Sequence, residues 1–72
     1  MKISLKALRV NADMNQAEAA KKLAVTEKTI QNWEAHRTFP SAGQLMSICR
    51  IYGCTLDDIF LPDVLAENEN RR

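Results

Sequence analysis

The chain has 72 residues, of which 46% are hydrophobic and 26% charged, so it is at most one domain, with enough apolar material for a single core. Aromatics at 6%, with two Gly and two Pro, argue against a β-sandwich and for a helical bundle. The net charge of +1 excludes a broadly basic protein but hides an asymmetry: residues 1–40 carry seven basic against four acidic side chains, a net of +3, and residues 41–72 three against five, a net of −2.

From Ile3 to Ala12, Leu5, Leu8 and Ala12 recur at helical spacing, with Lys6 and Arg9 between them. Asp13 follows as a residue that tolerates a left-handed exit. Asn15 and Glu18 form a capping box that opens a second helix running to about Leu23. Met14 and Ala19 stand at the positions of a weak hydrophobic staple. The inward stripe Ala19, Ala20 and Leu23 is small or aliphatic and lets another helix approach closely.

After the short connection Ala24-Val25, Thr26 caps a third helix from Glu27 to about Ala35. Ile30 and Trp33 share one side of it, and Glu27, Lys28, Gln31 and Asn32 the other. Residues 36–40 read as a loop. Ser41, with Gln44 at the box position, caps a fourth helix whose apolar face is Leu45, Ile48, Cys49 and Tyr52 and whose exit is Gly53. Thr55 and Asp58 predict a short fifth helix, with apolar contacts from Leu56, Ile59 and Phe60, ended by Pro62. The expected organisation is a domain over 1–65 and a polar, frayed tail over 66–72. Ile30, Trp33, Leu45, Ile48 and Ile59 are expected to share one core.

Enzymatic chemistry has little support in this pattern. Cys49, Cys54 and His36 lack the spacing of a zinc site, so no metal and no cofactor is expected. No nucleophile or acid recurs beside His36, and Asp57-Asp58 is better explained by helix capping than by cation binding. With no signal peptide and no apolar run of spanning length, the expectation is a cytoplasmic protein with reduced thiols and no membrane partner.

Two helices joined by about three residues, the second exposing polar side chains, form a helix-turn-helix unit. In its residues the sequence resembles the phage-repressor helix-turn-helix family, also described as Cro-like or XRE-type. The matching residues are Asn15-Gln16-Ala17-Glu18, Ala20, Leu23 and Val25, then Ile30, Trp33 and Glu34, then Pro40-Ser41 and Leu56-Asp57-Asp58-Ile59-Phe60. The resemblance runs from about Leu5 to Phe60. Ala24 and His36 depart from it, standing where the family usually has Gly.

The resemblance implies an all-α bundle of about five helices, a lambda-repressor-like DNA-binding domain. It implies a prokaryotic or phage-encoded transcriptional regulator, expected to be a repressor, acting on double-stranded DNA. Carried over by position, Thr26, Glu27, Lys28, Gln31 and Asn32 would face bases in the major groove. Asn15, Gln16, Thr29, Arg37 and Thr38 would meet phosphates. Arg9 and Glu34 would form a structural ion pair. Leu61 and Val64 are apolar residues beyond the expected core. With Cys54, Thr55 and Phe60 they are expected to line the interface of a homodimer on a palindromic operator. The competing expectation is an antitoxin-like or antirepressor module that keeps the fold and binds another protein.

Overall fold

The structure, a computed structural model, describes residues 2–60. Four α-helices follow one another: α1 Leu5–Asn11, α2 Gln16–Leu23, α3 Glu27–Glu34 and α4 Ala42–Tyr52. The predicted fifth helix is instead a single 3₁₀ turn, Leu56–Asp58, followed by extended backbone at Ile59. Three residues of 3₁₀ turn cannot set up a helical apolar stripe. Ile59 alone of the three expected contacts is buried, while Leu56 and Phe60 are exposed. Leu61, Pro62, Val64 and the polar tail lie outside the described residues.

Each α-helix opens on a side-chain cap that occupies a backbone amide the helix itself leaves free. Asn15 and Glu18 close a reciprocal box, and so do Ser41 and Gln44. Thr26 Oγ1 accepts from the Thr29 amide at 3.1 Å. Ser4 does the same for the Ala7 amide, which starts α1 two residues later than the apolar spacing predicts. At the 3₁₀ turn the Asp58 carboxylate accepts from the Thr55 amide at 3.0 Å. That backbone hydrogen bond holds the carboxyl below its ordinary pKa.

The four helices also leave by one device. A left-handed residue closes each: Asp13 (φ 61°), Ala24 (φ 59°), His36 (φ 60°) and Gly53 (φ 73°). The amide of the next residue then donates to a carbonyl five positions back. The pairs are Met14 to Arg9 at 3.2 Å, Val25 to Ala20 at 3.0 Å, Arg37 to Asn32 at 2.9 Å and Cys54 to Cys49 at 2.9 Å. This is the Schellman arrangement, which satisfies an orphan carbonyl and brings the two paired residues' side chains close together.

The core is Leu5, Leu8, Ala19, Ala20, Ile30, Trp33, Ile48, Tyr52 and Ile59. Of the five residues expected to share it, Leu45 is half-buried and packs against its edge. Ile30 and Ile48 are essentially sealed from solvent, each contributing about 2–3 kcal/mol of apolar burial. Fully buried Ala19 and nearly buried Ala20 are what let α2 lie close against α3 and α4. The N-terminal segment is pinned to the 3₁₀ turn and the residues after it: Ile3 donates to Asp58 at 2.6 Å and accepts from Phe60 at 3.0 Å.

Candidate nucleic-acid interface

α3 is a two-faced helix. Ile30 and Trp33 turn inward into the core. Glu27, Lys28 and Gln31 are exposed, and Asn32 is half-exposed on the same outward side. Lys28 and Asn32 are one turn apart and share a face. Apart from the exposed methyl of Ala35 at the helix end, the outward residues are polar, so this surface carries donors and acceptors without a large anchor for a protein core.

The predicted base-facing and phosphate-facing residues are not equally free. The Thr26 hydroxyl is committed to the cap and lies 2.9 Å from the Thr29 hydroxyl, so both threonines serve the start of α3 first. The Asn15 carbonyl oxygen is likewise used by the α2 cap, while its amide group stays exposed. Arg37 and Thr38 are exposed just beyond α3. Their amides donate to the Asn32 carbonyl at 2.9 and 3.5 Å.

Arg9 and Glu34 meet as the resemblance implies. Arg9 Nε donates to Glu34 Oε2 at 2.6 Å and Nη2 to Oε1 at 3.2 Å, with side-chain exposures of 9% and 7%. Hydrogen bonding to Glu34 raises the guanidinium pKa further, outweighing the opposing effect of burial. Two partners were not visible from sequence. Arg9 Nη1 also donates to the Met14 carbonyl at 2.9 Å, and Gln16 Nε2 donates to Glu34 Oε1 at 3.1 Å. The buried carboxylate therefore ties the end of α3 to α1 and to the first residue of α2. Gln16 keeps one amide hydrogen and its carbonyl oxygen for another partner.

Arg37 Nη1 also lies 3.4 Å from Asn32 Oδ1. The family resemblance assigns one of these residues to bases and the other to phosphates. Their five-residue separation across a left-handed exit at His36 was the signal that would have joined them.

These elements, a capped α2, a three-residue connection with a left-handed Ala24, and an outward polar α3, are those of a helix-turn-helix. A helix-turn-helix family model matches residues 5–59. The chain belongs to the helix-turn-helix family. It is 30% identical over 70 residues to an HTH-type transcriptional activator, BcrR, of Enterococcus faecalis; the match covers 93% of this chain and 34% of that protein. The chain thus spans about a third of the length of this relative. No solved structure matches it. Among the described residues no helix is long and apolar enough to cross a membrane.

Proposed function

We propose that this helix-turn-helix domain binds double-stranded DNA sequence-selectively as a transcriptional regulator, with α3 in the major groove. The observation that carries this reading is the division of α3: one face locked into the core through Ile30 and Trp33, the other polar and open. Glu27, Lys28, Gln31 and Asn32 supply the base contacts, Lys to guanine acceptors and Glu to cytosine N4. Thr26 and Thr29 share one hydroxyl–hydroxyl hydrogen bond, so one of the two has a hydrogen to add. Gln16, with Asn15 at the start of α2, and Arg37 with Thr38 beyond α3, take phosphates on either side; Thr29 serves the same backbone.

The domain acts as a homodimer on a palindromic site. Phe60 and Leu56 are exposed apolar side chains near Cys54 and Thr55, and they support a partner surface there. Leu61 and Val64 extend it in sequence. Two-fold pairing would set the α3 helices about 34 Å apart, one turn of DNA. Repression follows where such a site overlaps a promoter.

Selection of bound duplexes from a random pool tests this directly. A defined site should emerge, and binding to it should fall steeply with salt. Replacing Glu27, Lys28 and Asn32 together with Ala should abolish the preference in a protein that still folds. Unchanged affinity and preference in that variant would overturn the major-groove reading in favour of a protein-binding module.

A further inference from the structure

Asn32 and Arg37 stand where the Schellman exit of α3 brings two side chains together. The His36 amide donates to the Trp33 carbonyl at 3.2 Å and the Arg37 amide to the Asn32 carbonyl at 2.9 Å. This double closure fixes the backbone on which Arg37 sits relative to Asn32. In α2 the corresponding pair is Ala20 and Val25, apolar and turned to the core. In α3 the pair is polar and faces solvent. Arg37 Nη1 reaches Asn32 Oδ1 at 3.4 Å.

The chemistry of that contact has one orientation. A guanidinium has only donors, so the Asn32 atom facing it must be the carbonyl oxygen. The amide nitrogen of Asn32 is then the group turned away from Arg37. A side chain in this state offers donors to a base edge. The bidentate pair with adenine uses that same oxygen to accept from N6, and beside the guanidinium only its second lone pair is left for it, shared with a cation.

We propose that Arg37 is a specificity-determining positioning residue: held beside Asn32 by the exit of α3, it engages the side-chain oxygen and leaves the amide N–H to read an acceptor edge. This rests on the reading of α3 as the helix that enters the major groove. The base selected at the Asn32 position is then guanine, whose O6 and N7 both accept, or thymine through O4, in preference to adenine, whose N7 accepts but whose N6 amino group needs the oxygen that Arg37 engages. A residue that the family resemblance assigns to the phosphates thereby sets a base preference.

The experiment is a bound-sequence profile from a pool of random duplexes for the full chain, Asn32→Ala, Arg37→Ala and the double variant. Arg37 is exposed, and thermal melting should show all four folded. Asn32→Ala should blur one position of the profile. Arg37→Ala should weaken binding overall and also shift that same position toward adenine, by a factor on the order of ten. In the Asn32→Ala background, removing Arg37 should no longer move that position. If Arg37→Ala lowers all duplexes by one common factor with the profile intact, Arg37 acts only through its charge and the proposal fails. If the shift persists without Asn32, Arg37 works through another group and the proposal also fails. If Asn32→Ala leaves the profile unchanged, the assignment of Asn32 as a base contact is what falls, and the proposal with it.

Discussion

The exits of α2 and α3 are built alike and used differently. Both end on a left-handed residue that is not glycine, Ala24 and His36, and both close a hydrogen bond over five residues. At α2 the paired residues are Ala20 and Val25, and their apolar side chains join the core, so the exit fixes the angle between two helices. At α3 they are Asn32 and Arg37, and the same geometry presents polar groups to solvent. The exits of α1 and α4 fall on the structural side. Arg9 reaches back to the Met14 carbonyl, and Cys49 with Cys54 packs against the core. One backbone device thus carries different loads according to the two side chains it brings together. Perturbing each exit should reveal that difference by size.

The largest effect belongs to α1. Arg9 is almost fully buried and binds Glu34 through two nitrogens, with a third bond to Met14 and a fourth arriving at Glu34 from Gln16. Removing one partner leaves a buried charge with no counterion. Arg9→Met and Glu34→Met should each lose about 3–5 kcal/mol, enough to unfold much of a marginal small domain. The double variant should lose less than the sum, and less than either single if the apolar replacements pack well. Urea unfolding of the full cycle measures this. Strictly additive losses would remove Arg9 and Glu34 from the list of coupled pairs.

The α4 exit should announce itself at alkaline pH. Burial pushes the Cys54 thiol up to about 11, and burial, then the negative Glu34, pushes the Tyr52 hydroxyl up to about 12. Both are acids held protonated by the folded state. As pH rises past their ordinary values of 9.0 and 10.0, the unfolded chain releases protons that the native chain retains, so stability falls. It should be steady from neutrality to about pH 9 and decline from there to about pH 12. Tyr52 accounts for roughly 2 kcal/mol of that fall. Tyr52→Phe should flatten the upper part of the decline and Cys54→Ser the lower part. A wild-type curve that is level from pH 8 to 11 would contradict the burial of Cys54.

Much of this was legible in the sequence because its signals are local. Asn15 with Glu18, Ser41 with Gln44, and Thr26 before Glu27 each state a helix start within four residues, and the structure uses all three. Asp13 and Gly53 likewise announced their exits. Arg9 and Glu34 came only through the family resemblance, since nothing local links residues 25 apart. The fifth helix failed because Thr55 and Asp58 give the same start signal for three residues as for ten; what was missing was a second turn of apolar spacing. Gln16 meeting Glu34 depends on how α2 and α3 cross, which no spacing encodes. The Asn32–Arg37 contact was within reach, since the left-handed residue between them sets it. His36 in a glycine-like position carries that signal, and the residue that it places beside Asn32 is the next one along.

The smallest effects come from exchanging the left-handed residues themselves, and they test the comparison most closely. An L-residue with φ near 60° costs about 1–2 kcal/mol relative to its preferred conformation, and Gly avoids that cost. Gly in turn loses more conformational freedom on folding, by about 0.4–1 kcal/mol relative to Ala. The first term should win narrowly at Ala24, so Ala24→Gly should stabilise by up to about 1 kcal/mol, a rise of several degrees in Tm for a domain this size. Gly53→Ala should do the reverse. A Cβ there meets nothing within 4 Å, so only the φ of 73° opposes it. His36→Gly should gain at least as much as Ala24→Gly, because the buried His36 Nδ1 has no hydrogen-bond partner among the described residues. The functional outcomes should separate where the stabilities do not. A β-branched residue, which resists a positive φ, should loosen either exit. Ala24→Val should leave the base profile as it is, since Ala20 and Val25 are held by the core. His36→Val should widen the profile at the Asn32 position, since the left-handed backbone at His36 sets where Arg37 stands. Equal behaviour of Ala24→Val and His36→Val in the duplex selection would mean that both exits serve the fold alone.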